Sequence, residues 1–499
     1  TQKRQSEMLR SLVGSEMWIR DRNIVGIIFI LYLVFLIGVG YKTMKFNKSQ
    51  EDYLLAGRSL GPWVTAFSER ASGESAWLLL ALPGAAISVG LGEAWTVLGI
   101  TAGIIASWYL IAEKLRQETE KYDALTIPEY LHRKYQDNSN VIRLFSSVII
   151  AFFFTFYVSA QFHASGKVIN SLFGLTPVNG ITIGAAVIIS YTLMGGFFAV
   201  AWTDLLQGIL MIGTLVILPL AGFLELQGSE FTLSDDLLQI GESNASFTMG
   251  REGLAAVSVI LGGLSWGLGY LGQPHLVIRY MAIRNPIEVK KARTIAILWA
   301  LPGITGSFLI GLVALNYFGP EYFNNVDVEQ AMPLLAKELL PPIIAGLLIS
   351  GAVAAMMSTA DSQLLVSTSA ITEDFIHQYL GKNMSNKALV RLSRLTIVIL
   401  GLFSFGIAIL SELQEKNIFG VVSYAWSGLG SAFGPALLLS LWWSDTTRKG
   451  IIAGLLTGFL TTIIWANTNL KLIVTERLVS FVFAFLMIVI VSRIDKDKT

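Results

Sequence analysis

The sequence predicts an all-α polytopic membrane protein with about 13 transmembrane helices, and three observations carry that prediction. Of the 499 residues, 53% are hydrophobic and 14% are charged, against about 25% charged in ordinary soluble domains. Apolar runs of about 20 residues, the length that crosses a bilayer, recur along the whole chain. Two of these runs are interrupted by glycine, proline or charged residues, in a way that a simple membrane anchor does not need. A formal net charge of +1 favours no polyanionic partner, nucleic acid included. Cysteine is absent, so disulfides, thiolate metal sites and thiol nucleophiles are all excluded. The four histidines, His132, His163, His275 and His377, have no metal-ligand spacing, and no catalytic cluster is evident. No cofactor is expected.

Residues 1–22 are polar and mixed, and read as an unstructured or foreign leader without a signal-peptide pattern. The apolar runs then fall at 24–41, 62–85, 94–112, 144–168, 180–200, 205–223, 253–276, 295–318, 343–370, 392–411, 418–443, 450–466 and 477–492. Basic residues gather in alternate loops: Lys42, Lys45, Lys48 and Arg58; Lys114 to Arg143; Arg279 to Arg293; Lys382 to Arg394; Arg448 and Lys449; and Arg493 to Lys498. The intervening loops are basic-poor and partly acidic, as in Glu225, Glu230, Asp235, Asp236 and Glu242. By the positive-inside rule the amino terminus lies outside and the carboxyl terminus in the cytoplasm of a plasma (inner) membrane protein, which an odd number of spans satisfies.

The second span carries Ser68 to Ser75 and then Pro83-Gly84, while the seventh runs Gly262-Gly263-Leu264-Ser265-Trp266-Gly267-Leu268-Gly269-Tyr270-Leu271-Gly272-Gln273-Pro274-His275. Glycine and proline release backbone groups from the helical ladder. With the leading helix set aside, these are the first and sixth helices of two five-helix halves. Paired discontinuous helices point to a mid-membrane binding site in an inverted-repeat transporter. Glycines for close helix packing would explain one such segment, but two in register less well. The expected divisions are 23–61 for the leading helix and loop, 62–223 and 224–443 for the two repeats, and 444–499 for two trailing helices and a tail.

Glu69, Arg70 and Glu74 stand where hydropathy places lipid, each costing about 2.5–3.5 kcal/mol at a bilayer centre, so they must face protein, water or an ion. Arg70 and Glu74, four apart, can pair. In the ninth span Ser358, Asp361 and Ser362 share a helical face with Thr359 beside them, a dense oxygen patch suited to a hard cation. Membrane Ser and Thr often bond back to their own backbone, but four oxygen-bearing side chains together favour an ion site. Asp204 is expected to open the sixth span, where a carboxylate also complements the helix dipole. Lys167, near the outer end of the fourth span, can snorkel. Tyr157, Trp266 and Tyr270 are candidates for the floor of a substrate pocket.

Several motifs resemble the sodium:solute symporter family, above all its sodium/proline branch. They are Asp52-Tyr53-Leu54-Leu55-Ala56-Gly57-Arg58-Ser59-Leu60-Gly61-Pro62, Ala71-Ser72 through Trp77-Leu78-Leu79 and Leu82-Pro83-Gly84, Thr126-Ile127-Pro128-Glu129-Tyr130, Gly269 to His275, and Ser358-Thr359 with Gln363-Leu364-Leu365-Val366. The resemblance covers nearly the whole chain after residue 23. It implies a five-plus-five inverted-repeat core preceded by one helix and followed by two. It also implies a sodium site built from the backbone carbonyls of Ala71, Glu74 and Ala355 with the hydroxyls of Ser358 and Thr359. Asp204, Ser358, Asp361 and Ser362 match a second, inner cation site of some members. Substrate is expected near Ser75, Tyr157, Trp266, Tyr270 and Pro274, with the segment containing Ser431 closing one side, and Arg58 matches an arginine tied to coupling.

Two departures stand out: the proline branch has an aspartate where this chain has Gly73 and a neutral residue at Glu74, and small residues at Glu69-Arg70. A step of one position turns a side chain by about 100°, so Glu74 cannot inherit the aspartate's contacts. The function expected is sodium-coupled symport of a small solute, L-proline first, with another amino acid, a sialic acid, a sugar or a monocarboxylate as other cargoes and a transporter-like sensor as the other class. The partners expected are that solute, Na+ and the lipid bilayer.

Overall fold

The computed structural model describes residues 24–39, 55–194, 196–227, 232–380 and 384–496, the side chains of 386 and 387 excepted. The leader at 1–22, Lys42, Lys45, Lys48, Asp52 to Leu54, Glu230, Lys382 and Lys498 lie outside these residues. The described chain is helical, with one isolated parallel bridge between Leu60 and Ile283.

Helix α1 (Ile24–Val39) turns Val25, Phe29, Tyr32 and Leu36 inward, a spacing of three and four that makes one buried stripe, and leaves Ile27, Leu31, Val34 and Phe35 outward. The first discontinuous helix follows: α2 (Pro62–Ala76), a π-turn at Trp77–Ala81, and α3 (Leu82–Val89). Pro62 sits at a helix start, where its missing N–H costs nothing. Ser75, at φ 33° and ψ −167°, leaves the helical region and breaks the ladder. Gly90, at φ 70°, ends α3 in a conformation that glycine adopts freely. Next come α4 (Ala94–Ser107), a π-turn at Trp108–Ala112, α5 (Glu113–Lys121), α6 (Ile127–Lys134), α7 (Val141–Phe173), α8 (Pro177–Met194) and α9 (Phe197–Glu225).

After the short α10 (Leu233–Ile240), the second discontinuous helix comprises α11 (Gly253–Leu264), α12 (Trp266–Gly269) and α13 (Pro274–Ala282), bent by 42° between its halves. Then follow α14 (Glu288–Phe318), α15 (Ala331–Leu339), α16 (Pro342–Ser369) running on into a π-helical end at Ala370–Tyr379, α17 (Asn386–Leu413), α18 (Ile418–Trp442), α19 (Arg448–Ala466) and α20 (Glu476–Lys496).

Among the described residues nine helices are long and apolar enough to cross a bilayer, or ten with the bent pair taken as one span. Eleven of the thirteen predicted runs fall on these helices, two of them on the single stretch Pro62–Lys121; the other two fall on α1, whose described part is shorter, and on α18, which is too rich in glycine and serine to pass on hydropathy alone. The apolar window of α16 is 83% buried and that of α20 28%, so α16 is a core helix and α20 a peripheral one. Helix α2 is buried on nearly every face and packs on α9, α14 and α16.

Several boundaries differ from expectation. The fifth run, expected to reach 200, ends as a helix at Met194, and helix α9 begins at Phe197 rather than near 204, because Gly196 takes an extended conformation there and turns the chain early. The second discontinuous helix runs on to Ala282, past the expected end at 276. The glycines of that helix also serve packing: a Cβ on Gly267 would lie 2.2 Å from the Gly99 carbonyl of α4, and one on Gly272 would lie 2.1 Å from the Gly434 amide of α18.

Candidate functional site

Three groups of buried polar residues meet where α2 and α13 run beside α9 and α16. The first joins α2 to α16. The Ser358 hydroxyl donates to the Ala71 carbonyl at 2.9 Å and to the Ala355 carbonyl at 3.1 Å, and the Thr359 hydroxyl donates to the Ser72 carbonyl at 2.9 Å. Three of the five expected sodium ligands thus meet, the Ala71 and Ala355 carbonyls both on the Ser358 hydroxyl, with Thr359 one residue along. The Glu74 carbonyl instead accepts the Trp77 amide at the helix break. The set forms because α16 presents two hydroxyls to the part of α2 that ends at Ser75.

The second group surrounds Arg279, a helix residue rather than the loop charge its position past an apolar run suggests. Arg279 is wholly buried in α13, because that helix extends beyond the apolar window that located it. Its Nη2 lies 2.9 Å from Asp204 Oδ2, 2.6 Å from Ser72 Oγ and 2.5 Å from Ser362 Oγ, and its Nε donates to Ser68 Oγ at 3.0 Å. Ser68 and Ser72 donate to the same Asp204 oxygen at 2.6 and 3.1 Å. Asp204 is therefore no helix-start charge: it lies inside α9, paired across three helices. Asp361 accepts from Ser362 at 3.3 Å, whereas Asp204 Oδ1 and Asp361 Oδ2 have no hydrogen-bond partner among the described residues. Of the four residues expected in the inner site, Asp204 and Ser362 meet on Arg279, Asp361 adjoins them, and the Ser358 hydroxyl points to the first group.

The third group explains the charges of the first break. Arg70 Nε donates to Glu69 at 2.6 Å, its Nη2 bonds the other Glu69 oxygen, and its Nη1 donates to Glu74 at 2.6 Å. Trp108 Nε1 and the Tyr280 hydroxyl donate to Glu69 at 3.1 and 3.3 Å, and the Tyr270 hydroxyl donates to Glu74 at 3.2 Å. All three ionisable side chains are fully buried, so the predicted Arg70–Glu74 pair forms, with Glu69 as a further partner. When both carboxyl groups are ionised, one guanidinium leaves one negative charge over.

Above this cluster the aromatic residues converge. Trp77 and Trp266 are stacked at 5.9 Å, Tyr270 meets Trp426 edge-on at 4.6 Å, and Tyr157 lies 6.4 Å from Trp426. The Ser75 and Tyr157 hydroxyls are 3.5 Å apart, and the Ala76 amide just past the break is taken by Gln161 Oε1 at 3.0 Å. Ser75, Tyr157, Trp266 and Tyr270 are therefore brought together as expected. Pro274 opens α13 and faces a crevice shared with Ile278, Val366 and Asp374. It is Gly430 that meets the discontinuous helix at Gly269, while the Ser431 carbonyl faces Gly458 of α19. The sequence does not mark Trp77, Gln161 or Trp426 as pocket residues, since a lone tryptophan or glutamine in an apolar run has no distinguishing pattern.

Arg58 stands apart at the foot of both discontinuous helices. It follows Ala56 and Gly57 in a turn where all three have positive φ (51°, 57° and 48°). Its guanidinium donates to the carbonyls of Ala124 at 2.7 Å, Thr119 at 3.2 Å and Met281 at 3.2 Å. Beside it, the Leu60 amide donates to the Ala282 carbonyl at 3.2 Å and the Arg284 amide to the Leu60 carbonyl at 2.9 Å, tying the entry to α2 to the exit of α13.

Two discontinuous helices crossing a membrane core, with buried oxygens and an aromatic group at their breaks, define an ion-coupled transporter. The chain belongs to the sodium:solute symporter family, whose model matches residues 53–458. It is 39% identical over 455 residues to the high-affinity proline transporter PutP of Bacillus subtilis, covering 91% of this chain and 94% of that protein. It is 38% identical over 478 residues to the sodium/proline symporter of Escherichia coli K12, covering 94% of this chain and 92% of the other. Among solved structures, the substrate-bound outward-open state of a Na+-coupled sialic acid symporter superposes with a TM-score of 0.78 at 19% identity, over 94% of this chain and 98% of that one, which shows a common fold.

Proposed function

We propose that this protein carries L-proline into the cell together with sodium by alternating access. The observation that carries this reading is the convergence of Tyr157, Trp266, Tyr270, Trp77 and Trp426 beside the oxygen group on Ala71, Ala355 and Ser358, in a chain 37–39% identical to transporters named for proline. A compact aromatic enclosure suits a small, partly apolar ring better than a polyol. Glu74, held by Arg70 and Tyr270 in a cluster with one surplus negative charge, is suited to the substrate ammonium, and the Ser75 and Tyr157 hydroxyls to its carboxylate.

Sodium takes Ala71, Ala355, Ser358 and Thr359 as ligands, with the Glu74 carbonyl joining if the break at Ser75 adjusts. Sodium there fixes the break of α2 against α16, and so favours the conformation that accepts substrate. Coupling requires that each ligand bind more tightly when the other is present. One sodium crossing 100 mV contributes about 2.3 kcal/mol, some tens-fold of accumulation for a net-neutral solute. Arg58, clamping α5, the 122–126 turn and the end of α13, serves as the coupling tie between the two discontinuous helices. Residues 62–223 and 224–443 form the two repeats of a 13-span protein with its amino terminus outside.

The test is uptake of radiolabelled proline by purified protein in liposomes, with and without an inward sodium gradient, against a panel of amino acids, sugars, monocarboxylates and sialic acid. Sodium-driven proline uptake is expected, competed by proline but not by its ring-oxygen analogue, which lacks the ammonium. Uptake of another solute without proline would overturn the assignment.

A further inference from the structure

Arg279 is an ionised group fully buried among oxygens from three helices, and simple helix tying accounts poorly for its placement. A guanidinium keeps its charge under all ordinary conditions. Its Nη2 carries two protons but faces three oxygens, of Asp204, Ser72 and Ser362, at 2.9, 2.6 and 2.5 Å. One carboxylate and two hydroxyls converging on one point from α9, α2 and α16 form a donor set of the kind that holds a hard monovalent cation. The point is occupied by a nitrogen of the protein itself.

We propose that Arg279 is a tethered cation: its guanidinium holds the inner oxygen site of Asp204, Ser72 and Ser362, so that each transport cycle carries one sodium ion. This rests on the sodium-symport reading above. The charge count supports it. With both carboxyl groups ionised, the buried Asp204 and Asp361 supply two negative charges beside the Ser358–Ala71 group, and Arg279 on Asp204 supplies one positive charge. Asp361 lies three residues, nearly one helical turn, beyond Ser358, and its Oδ2 has no hydrogen-bond partner among the described residues. A single sodium bound at Ser358 completes neutrality across the two groups, whereas a chain without the arginine needs two mobile cations for the same balance.

The first measurement is the sodium-to-solute ratio of the unmodified protein in liposomes, read from the membrane potential that just halts sodium-driven uptake. A ratio of one is expected, and a ratio of two overturns the tether while leaving symport intact. Absence of sodium-dependent uptake of any solute would instead sink the symport reading itself. Arg279→Gln is expected to steepen sodium activation from a Hill coefficient of about one toward two and to raise the half-saturating sodium about tenfold, while Arg279→Lys keeps the shallow curve. A transporting Arg279→Gln protein whose Hill coefficient stays at one overturns the proposal. Should that variant fail to fold, the paired Asp204→Asn, Arg279→Gln change removes both charges, and a coefficient near one is expected of it; a coefficient of two there also overturns the proposal.

Discussion

Ser358 shows how a single side chain links two helices and a proposed ion. Its hydroxyl bonds both a carbonyl of its own helix, Ala355, and one of α2, Ala71, so the local back-bond common for serine in membrane helices coexists with a cross-helix bond. Removing the hydroxyl takes one oxygen from the sodium set and leaves the fold's apolar contacts in place. Ser358→Ala is expected to raise the half-saturating sodium concentration for uptake about tenfold, near 1.4 kcal/mol, with uptake at saturating sodium much less affected. Unchanged sodium activation would remove Ser358 from the ion site. The charged trio Glu69, Arg70 and Glu74 belongs to the same scale. Breaking a buried pair leaves an uncompensated charge, and here each carboxylate also has a neutral donor that holds its orientation, Trp108 and Tyr280 for Glu69 and Tyr270 for Glu74.

At the scale of elements, helix ends are joined by a network that hydropathy does not reveal. Lys167, a residue able to snorkel by its place in the sequence, is instead buried near the carboxyl end of α7 and bonds Asp327 at 2.6 Å and Glu329 at 2.5 Å. Glu329 also accepts the Ile418 and Phe419 amides at 2.9 and 3.2 Å, satisfying the free N–H groups that open α18. One lysine thus ties α7 to the start of α18 through Glu329. Lys167→Met is expected to lower stability by about 3 kcal/mol, the low end for breaking a buried pair, because Asp327 stays 36% exposed. Thermal unfolding in detergent measures it, and an unchanged midpoint would show that the pair contributes nothing.

For the whole molecule, the basic residues assigned to loops bear on topology. Arg279 is buried, and Arg116 is 2% exposed with its Nε on the Ile283 carbonyl at 2.7 Å, so part of the basic bias is structural rather than solvent-facing. The alternation survives without them, since Lys114, Arg133, Lys134, Arg284, Lys290 and Lys291 share the same side. As the sequence contains no cysteine, single-cysteine labelling gives a direct test. In intact cells an impermeant maleimide is expected to label Asn469→Cys, between α19 and α20, and to reach Ser444→Cys, between α18 and α19, only after permeabilisation. The reverse pattern would invert the assigned orientation.

The sequence by itself determined the all-helical membrane class, the two discontinuous helices and the hydroxyl-rich face of α16, because length, hydropathy and helical spacing are local properties. It also indicated the Arg70–Glu74 pair, four residues apart on one helix. Only the tertiary structure decided that Glu69 completes that pair with Trp108 and Tyr280, that Trp77 and Trp426 join the aromatic group, that Lys167 holds α18, and that Arg279 lies on Asp204. These contacts link residues tens to hundreds of positions apart in the chain. A charge a few residues past an apolar run looks the same in sequence whether it meets water or a carboxylate on another helix, and only packing settles which.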